Sequence, residues 1–182
     1  MRGLSGQPSV PEDRRFRVKA YLSGAIEHSA DGGRKWREDL AVFLREGLGH
    51  EVYDPAADEK KNLTEEELAG FRRWKAEDPT RFREVVRKII AWDLDRIESD
   101  TDYLVALWDR AASAGGGTAA EVTLAYRLGK PVYLVLAMPA AEASGWVLSA
   151  ATEVFDNLGA LESRLRENFG PDSRREDSAP LR

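Results

Sequence analysis

The sequence predicts an α/β fold, a three-layer open sandwich in which helices cover both faces of a mostly parallel five-stranded sheet. Three observations support this prediction. Short apolar runs alternate along the chain with longer segments of helical spacing. Several of the apolar runs lack polar alternation, which is typical of parallel strands that are buried on both faces. Glycine and proline separate the segments at turns.

The first part of the chain predicts a strand, a helix and a second strand. Residues 18–23 form a short strand-like run. Between residues 33 and 49, apolar side chains recur at helical spacing with charges between them and a glycine at the end, which is typical of an amphipathic helix. Residues 50–53 form a shorter strand, closed by the turn signal Asp54-Pro55.

The middle of the chain predicts two helices and a buried strand. Residues 63–97 are strongly helical in composition, and Asp78-Pro79 predicts a break between a first helix and a longer second one. Residues 102–108 are apolar almost throughout, so they predict a third strand that is covered on both sides.

The last part predicts a helix over residues 119–128 and a fourth, apolar strand over 131–137. Residues 147–158 are ambiguous, with a last strand expected around 153–155, and residues 158–167 predict a closing helix. This order of strands and helices is typical of flavodoxin-like or Rossmann-like folds.

The domain organisation follows from composition. Residues 1–15 and 171–182 are rich in Pro, Gly, Ser and charge, so we expect mobile tails on either side of one domain over residues 16–170. No apolar run approaches the roughly 18–20 residues that cross a bilayer, and the N-terminus lacks the apolar stretch of a secretory signal. We therefore expect a cytoplasmic protein without a membrane partner.

Composition also excludes several kinds of chemistry. The 182 residues include no cysteine and two histidines, which excludes disulfides and thiolate catalysis and argues against a metal site or a Ser-His-Asp triad. We expect no metal and no cofactor. The net charge of −5 argues against a nucleic acid polymer as partner, so an anionic ligand must be held locally. Carboxylates, hydroxyls and backbone amides remain for chemistry.

In folds of this class ligands bind at the carboxyl ends of the parallel strands. The first strand ends in the small turn Ser23-Gly24-Ala25, where backbone N–H groups can approach a ligand next to a helix start. The alternative is a tight strand-to-helix turn without a ligand. The turn matches neither the dinucleotide-binding nor the P-loop glycine pattern.

After the third strand, three glycines (residues 115–117) precede Thr118 and Glu121. Consecutive glycines cost conformational entropy on folding, so they indicate a backbone with a function. Thr118 and Glu121 also have the spacing of a capping box, in which each side chain satisfies a backbone N–H at the helix start. A structural cap and a catalytic Glu121 are both open at this point.

Asp93 lies four residues before Ile97, so the two share one face of a helix while Asp95 points elsewhere. A carboxylate on the packed side of a helix needs a partner or serves a site. The alternative is a solvated acidic helix end.

Together, five motifs resemble the nucleoside 2-deoxyribosyltransferase family and its relatives, the 2′-deoxynucleoside 5′-monophosphate N-glycosidases. They occur in the family's order and cover most of residues 18–137. The motifs are the run Tyr21–Ile26, Asp93-Leu94 with Ile97, Ser99-Asp100 leading into Tyr103–Ala106, Gly117–Glu121, and Gly129–Val132.

The resemblance implies an enzyme that cleaves the N-glycosidic bond of a 2′-deoxynucleoside or its 5′-monophosphate and passes the sugar to another base or to water. Glu121 would be the nucleophile and Asp93 the acidic partner near the leaving base. The remaining expected substrate contacts are Tyr21, Ser23, Gly24, Ala25, Gly117 and Thr118. The rival hypothesis is a nucleotide-binding or nucleotide-sugar-sensing module without turnover.

The family also implies a homodimer or a higher homo-oligomer in which Ser149 contacts a 5′-phosphate across the subunit interface. Residues 146–148 are candidate interface residues, and a buried helix within one chain is the alternative. Two features depart from the family. Glycines 115–117 stand where the transferases have a further acid and the nucleotide hydrolases a serine, and the helical segment 59–90 is longer than the family leads us to expect.

Overall fold

Five parallel strands form the central sheet of the structure, a computed structural model that describes residues 17–58 and 60–170. They lie in the order β2-β1-β3-β4-β5, and every neighbouring pair is parallel. The α/β prediction is confirmed, with a wholly parallel sheet in these residues where the sequence predicted a mostly parallel one. The predicted tails, residues 1–15 and 171–182, lie outside the described residues. The strands are β1 (Lys19–Gly24), β2 (Glu51–Tyr53), β3 (Tyr103–Trp108), β4 (Val132–Leu136) and β5 (Glu153–Phe155).

Seven α-helices connect and flank these strands in the described part of the chain. The first continues into a π-helical turn over Phe43–Gly47, and a single 3₁₀ turn covers Ala140–Glu142. None of the helices is long and apolar enough to cross a membrane. The helices are α1 (Arg34–Val42), α2 (Glu65–Glu77), α3 (Pro79–Asp100), α4 (Arg110–Ala114), α5 (Gly117–Arg127), α6 (Gly145–Ala150) and α7 (Leu158–Phe169).

The predicted break in the long helical segment is confirmed at Asp78. This residue ends α2, and its carboxylate accepts a hydrogen bond from the Arg81 N–H at 3.0 Å, so it also caps α3. Pro79 occupies the first position of α3, where a missing N–H costs nothing. The short helices α4 and α6 were not predicted, because five or six residues are too few to show a helical period.

Residues 65–90 of the predicted helical segment 59–90 form α2 and the first half of α3, whereas residues 60–64 form a turn before α2 and Glu59 lies outside the described residues. The two helices pack against each other around the buried indole of Trp74. At the far end of α2, the Lys75 ammonium donates to the Glu27 carboxylate at 2.6 Å, which ties α2 to the loop after β1. The extra helical length therefore lies against the loop at the carboxyl end of β1.

Two apolar clusters fill the space on the two faces of the sheet. One joins the sheet to α1 and α7 through residues such as Leu40 and Leu161. The other joins it to α3, α5 and α6 through residues such as Ile97 and Val122. Because alternate residues of a strand point to opposite faces, Tyr21 and Ser23 share a face, and this is the face that α5 covers.

The end of β1 lies where the strand order changes direction. The chain leaves β1 towards β2 on one side and later returns to β3 on the other, and Gly24 at the end of β1 pairs with Leu107 of β3. Ligands of open α/β sheets bind at such a switch point, outside the carboxyl ends of the strands.

Candidate functional site

The side chain of Glu121 is the centre of the candidate site. It extends from the second turn of α5 towards the end of β1, where its Oε1 accepts a hydrogen bond from the Tyr21 hydroxyl at 2.8 Å. Its Oε2 accepts a hydrogen bond from the Ser23 hydroxyl. The fold thus joins residues that are 98 and 100 positions apart in the chain, and it directs one hydroxyl to each oxygen of the carboxylate.

The capping-box alternative for Glu121 is wrong. Helix α5 begins at Gly117 with Gly116 as its N-cap, and no side chain caps it. Thr118 therefore lies inside the first turn, where it is buried, instead of preceding the helix. The helix starts two residues earlier than predicted, so the carboxylate of Glu121 is not engaged at the helix end.

Burial is the largest influence on the pKa of Glu121 and raises it. The hydrogen bonds from Ser23 and Tyr21 act in the opposite direction, because they stabilise the carboxylate. Burial also raises the pKa of Tyr21, which keeps the phenol protonated and able to donate. The Glu121 carboxylate is therefore held by neutral donors and no cation contacts it directly among the described residues.

Asp93 lies on the packed side of α3, as predicted, whereas Asp95 is exposed. Only 8% of Asp93 is exposed, and its two carboxylate oxygens lie 2.8 and 2.6 Å from Nζ of Lys61. Burial raises the pKa of Asp93, while the charge and hydrogen bonds of Lys61 lower it. The alternative of a solvated acidic helix end is wrong for this residue.

Tyr53 connects the two carboxylates. Its ring centroid lies 5.2 Å from that of Tyr21, and its hydroxyl lies 3.2 Å from Oδ1 of Asp93. The same hydroxyl is 3.0 Å from Oδ2 of Asp58 and accepts a hydrogen bond from the Trp92 indole at 3.1 Å. Glu121, Tyr21, Tyr53 and Asp93 therefore form a continuous polar and aromatic wall.

Sequence analysis missed Tyr53, Asp58, Lys61 and Trp92. A signal existed for Tyr53, because it ends the second strand, at the same edge of the sheet as the end of the first. Lys61 and its neighbour Asn62 have left-handed backbones, with φ of 37° and 61°. Asparagine tolerates this conformation, but lysine rarely adopts it, so the sequence carries no signal for it at Lys61 itself.

A fully buried arginine holds the loop that follows β1. The Arg37 guanidinium donates to the carbonyl oxygens of Gly33 at 2.7 Å and Gly24 at 2.8 Å, and more weakly to those of Leu22 and Ala25 at 3.2 and 3.3 Å. The backbone around Ser23 is thereby fixed in the position from which its hydroxyl reaches Glu121. Sequence analysis did not single out this arginine.

Gly24 has a packing reason to be glycine. A Cβ at this position would lie 2.9 Å from the Trp36 ring and 3.3 Å from the Arg37 guanidinium. Ala25 is partly buried and packs against the cluster on the α5 face. Contact of Gly24 and Ala25 with a substrate stays a prediction.

The glycines before α5 show no such crowding. A Cβ at Gly116 or Gly117 would meet no atom within 4 Å, and neither residue has a positive φ. Neither backbone geometry nor packing therefore requires glycine at these two positions, and the expected role of Gly117 and Thr118 towards a substrate stays a prediction.

Ser149 is exposed on α6 and forms none of the hydrogen bonds of the Glu121 carboxylate. Contact of Ser149 with a substrate stays a prediction. Of the candidate interface residues on this helix, Val147 belongs to the core, whereas 69% of Trp146 is exposed. The indole of Trp146 donates to the Thr123 hydroxyl at 2.8 Å, which places it over α5.

Two other features bear on ligand binding in residues 17–58 and 60–170, the capacity to hold a metal ion and a cavity away from Glu121. No three acidic or histidine side chains there lie close enough together to hold a metal ion. A cavity of about 640 Å³ lies beside the outer edge of β2, and its lining includes neither Glu121 nor Asp93. That cavity is lined by Arg17, Lys19, Arg45, Gly49, His50, Glu51, Val52 and Tyr53.

Comparison with known proteins supports the fold. No protein-family model matches the sequence, and no curated protein matches it. Among solved structures, the chain is similar to a 2-deoxyribosyltransferase from the psychrotolerant bacterium Bacillus psychrosaccharolyticus, with a TM-score of 0.51 and 22% sequence identity. The match covers 80% of this chain and 90% of the other. At this identity the likeness shows a shared fold.

Proposed function

We propose that this protein cleaves the N-glycosidic bond of a 2′-deoxynucleoside or its 5′-monophosphate and transfers the deoxyribosyl group to another base or to water. The observation that carries the proposal is the Glu121 carboxylate, held by two neutral hydroxyls at the carboxyl end of β1 with a second carboxylate, Asp93, across the Tyr53 ring. The 2-deoxyribosyltransferase with the same fold supports the choice of substrate.

In the first step, an oxygen of Glu121 supplies an electron pair to C1′ of the sugar while the bond from C1′ to the base nitrogen breaks. The transition state resembles an oxocarbenium ion, and a carboxylate stabilises that charge before it forms the ester. Tyr21 and Ser23 orient the carboxylate. Because both donors are neutral, they fix its position without cancelling its charge.

The base leaves with the electron pair of the broken bond and takes up one proton. We propose that Asp93 supplies this proton, directly or through a water molecule. Burial raises the pKa of Asp93, which favours the protonated acid. In the second step, a nitrogen of another base or the oxygen of water attacks C1′, loses a proton and releases the Glu121 carboxylate.

The other expected contacts complete the proposal. Gly24 and Ala25 follow Ser23 at the carboxyl end of β1, and Gly117 and Thr118 begin the helix that carries Glu121, so we include all four as substrate contacts. For Ser149 we propose contact with the 5′-phosphate bound by a neighbouring subunit. The exposed Trp146 on the same helix, with the exposed Tyr126 on α5 and Leu128 directly after it, offers an apolar surface for that subunit.

The test is incubation of the protein with a panel of 2′-deoxynucleosides and their 5′-monophosphates, with and without a second free base, followed by chromatography. We expect release of free base, and a protein adduct with the mass of a deoxyribosyl ester by mass spectrometry. Glu121→Gln should abolish both while binding persists. Glu98→Gln, which changes an exposed glutamate on α3, is the matched control and should retain activity.

Unchanged turnover by Glu121→Gln would disprove the nucleophile. Tight nucleotide binding without base release or adduct by the unmodified protein would instead favour a binding module.

A further inference from the structure

Lys61 is a buried cation that the proposed mechanism does not use. Only 8% of the residue is exposed, and its ammonium lies between 2.6 and 2.8 Å from the two oxygens of Asp93. Lysine is rarely buried unless it is paired, because removing its charge from water costs several kcal/mol. The chain therefore places this charge beside Asp93 at a cost.

The backbone at this position is also strained. The φ of Lys61 is 37° and that of Asn62 is 61°, which lies in the region that residues with a side chain rarely adopt. Such conformations persist where the surrounding structure holds them, and they concentrate at functional sites. From this backbone conformation the Lys61 side chain reaches Asp93 on α3.

The ammonium keeps a donor for a ligand. It has three N–H groups, and in the described part of the chain its hydrogen bonds go to the two oxygens of one carboxylate. It also lies within electrostatic reach of the candidate nucleophile, because its charge lowers the pKa of Glu121 while burial raises it. One N–H group of Lys61 thus remains for a ligand that binds beside Asp93.

We propose that Lys61 is a further substrate-contacting residue, which donates a hydrogen bond to the 6-oxo oxygen of a purine or the 4-oxo oxygen of a pyrimidine in the leaving base. The inference rests on the proposed function. If Glu121 attacks C1′, the base attached to C1′ extends towards Asp93 and Lys61. An ammonium can only donate, so it matches an oxo oxygen and leaves an exocyclic amino group, itself a donor, without a partner.

The contact also acts on the reaction. When the bond from C1′ to the base breaks, the electron pair passes to the base and spreads onto its oxo oxygen. The hydrogen bond from a cation to that oxygen is therefore stronger in the transition state than in the bound substrate, which is the condition for catalysis. The protein should then prefer 6-oxopurine and 4-oxopyrimidine deoxynucleosides to their amino counterparts.

The experiment uses substrate pairs that differ in this oxo or amino group and in whether the ring nitrogen beside it carries a proton. The value of kcat/KM is measured for deoxyinosine and deoxyadenosine, and for deoxyuridine and deoxycytidine, with the unmodified protein, Lys61→Met and Lys61→Arg. We expect the unmodified protein to prefer the oxo member of each pair. Lys61→Met should lower kcat/KM about tenfold to a hundredfold for the oxo substrates, the effect of one charge-assisted hydrogen bond, and much less for the amino substrates. Lys61→Arg keeps a cationic donor and should retain most of the preference.

Equal losses on both members of each pair in Lys61→Met would overturn the inference, because a merely structural ion pair affects all substrates alike. An amino preference of the unmodified protein would overturn it as well. If thermal melting shows that Lys61→Met is unfolded, the test uses Lys61→Gln, which keeps a neutral donor. The ratio of kcat/KM for the oxo substrate to that for the amino substrate is then compared between Lys61→Gln and the unmodified protein.

The two proposals fail in different ways. If cleavage depends on Glu121 but the Lys61 variants leave the oxo-to-amino ratio of kcat/KM unchanged, the inference about Lys61 fails and the proposed function stands. Absence of cleavage of all four nucleosides and of their 5′-monophosphates removes the proposed function, and the inference with it.

Discussion

Arg37 gives the sharpest test of how this site is supported. Its side chain is fully buried and joins the end of β1 to the start of α1 through four carbonyl oxygens, with Asp54 3.4 Å from its Nε. Arg37→Met retains a long apolar stem but removes every donor. The carbonyls then lose a charged partner, and the carboxylate of Asp54 loses its cation.

The magnitude follows from the two short hydrogen bonds, to Gly33 and Gly24. Hydrogen bonds from charged groups contribute roughly 1.5–3 kcal/mol each, so loss of the two should lower the free energy of unfolding by about 3–6 kcal/mol. Breaking a buried ion pair by removing one partner has a cost of the same size, about 3–5 kcal/mol. This is a large share of the roughly 5–15 kcal/mol that stabilises a typical domain.

The assay is urea-induced unfolding of the unmodified protein, Arg37→Met and Lys35→Met. Lys35 lies on the same helix, is exposed, and pairs with Asp39 at 2.6 Å. Solvent screens such exposed pairs and they contribute little to stability, so the control should be almost as stable as the unmodified protein. A loss below about 1 kcal/mol for Arg37→Met would refute the argument that this arginine holds the loop.

Four further predictions concern the site and its loop. Tyr21→Phe removes a hydrogen bond that lowers the pKa of Glu121, so the pKa of Glu121 should rise. The acidic limb of the pH–rate profile should then move to higher pH, and a limb that does not move contradicts the hydrogen bond from Tyr21 to Glu121. Asp93→Asn should slow the release of poor leaving bases more than that of activated ones, and equal slowing in single-turnover assays would exclude proton donation. Ser149→Ala should erase a preference for 5′-monophosphates over nucleosides in competitive binding, and an unchanged preference would rule out the phosphate contact. Hydrogen bonds from the backbone of Lys35, the side chain of Ser29 and the backbone of Gly33 lower the pKa of Asp31 to about 2, below its usual value of 3.8. The stabilising contribution of Asp31 is therefore present above pH 4 and is lost as the pH falls towards 2. Asp31→Asn should flatten the dependence of the free energy of unfolding on pH in that interval.

Much of the fold could be predicted because its signals are local. The buried strands β3 and β4 show continuous apolar runs, and the glycine and proline turns separate them from their helices. Even the ambiguous strand over Glu153–Phe155 is confirmed. The same rule that places ligands at strand ends directed attention to Tyr21 and Ser23.

The site could be predicted only where a motif or a strand end marked it. The spacing of Thr118 and Glu121 fits a capping box as well as a catalytic glutamate. The contacts that decide between these two roles come from Tyr21 and Ser23, which lie about a hundred residues away in the chain. Lys61 reaches Asp93 from a left-handed backbone conformation, and no glycine in the sequence marks that conformation. Contacts made across the fold leave no trace in local periodicity, which is why these residues were missed.

The edges of the sheet limit how copies of this protein can associate. Both edge strands, β2 and β5, have three residues, and each begins with a glutamate that pairs with a nearby cation, Glu51 with Lys19 and Glu153 with Arg164. Short, charged edges discourage strand addition from a second copy, which is the route to open-ended polymers. Self-association should therefore proceed through the helical surfaces on the two faces of the sheet and not through its edges.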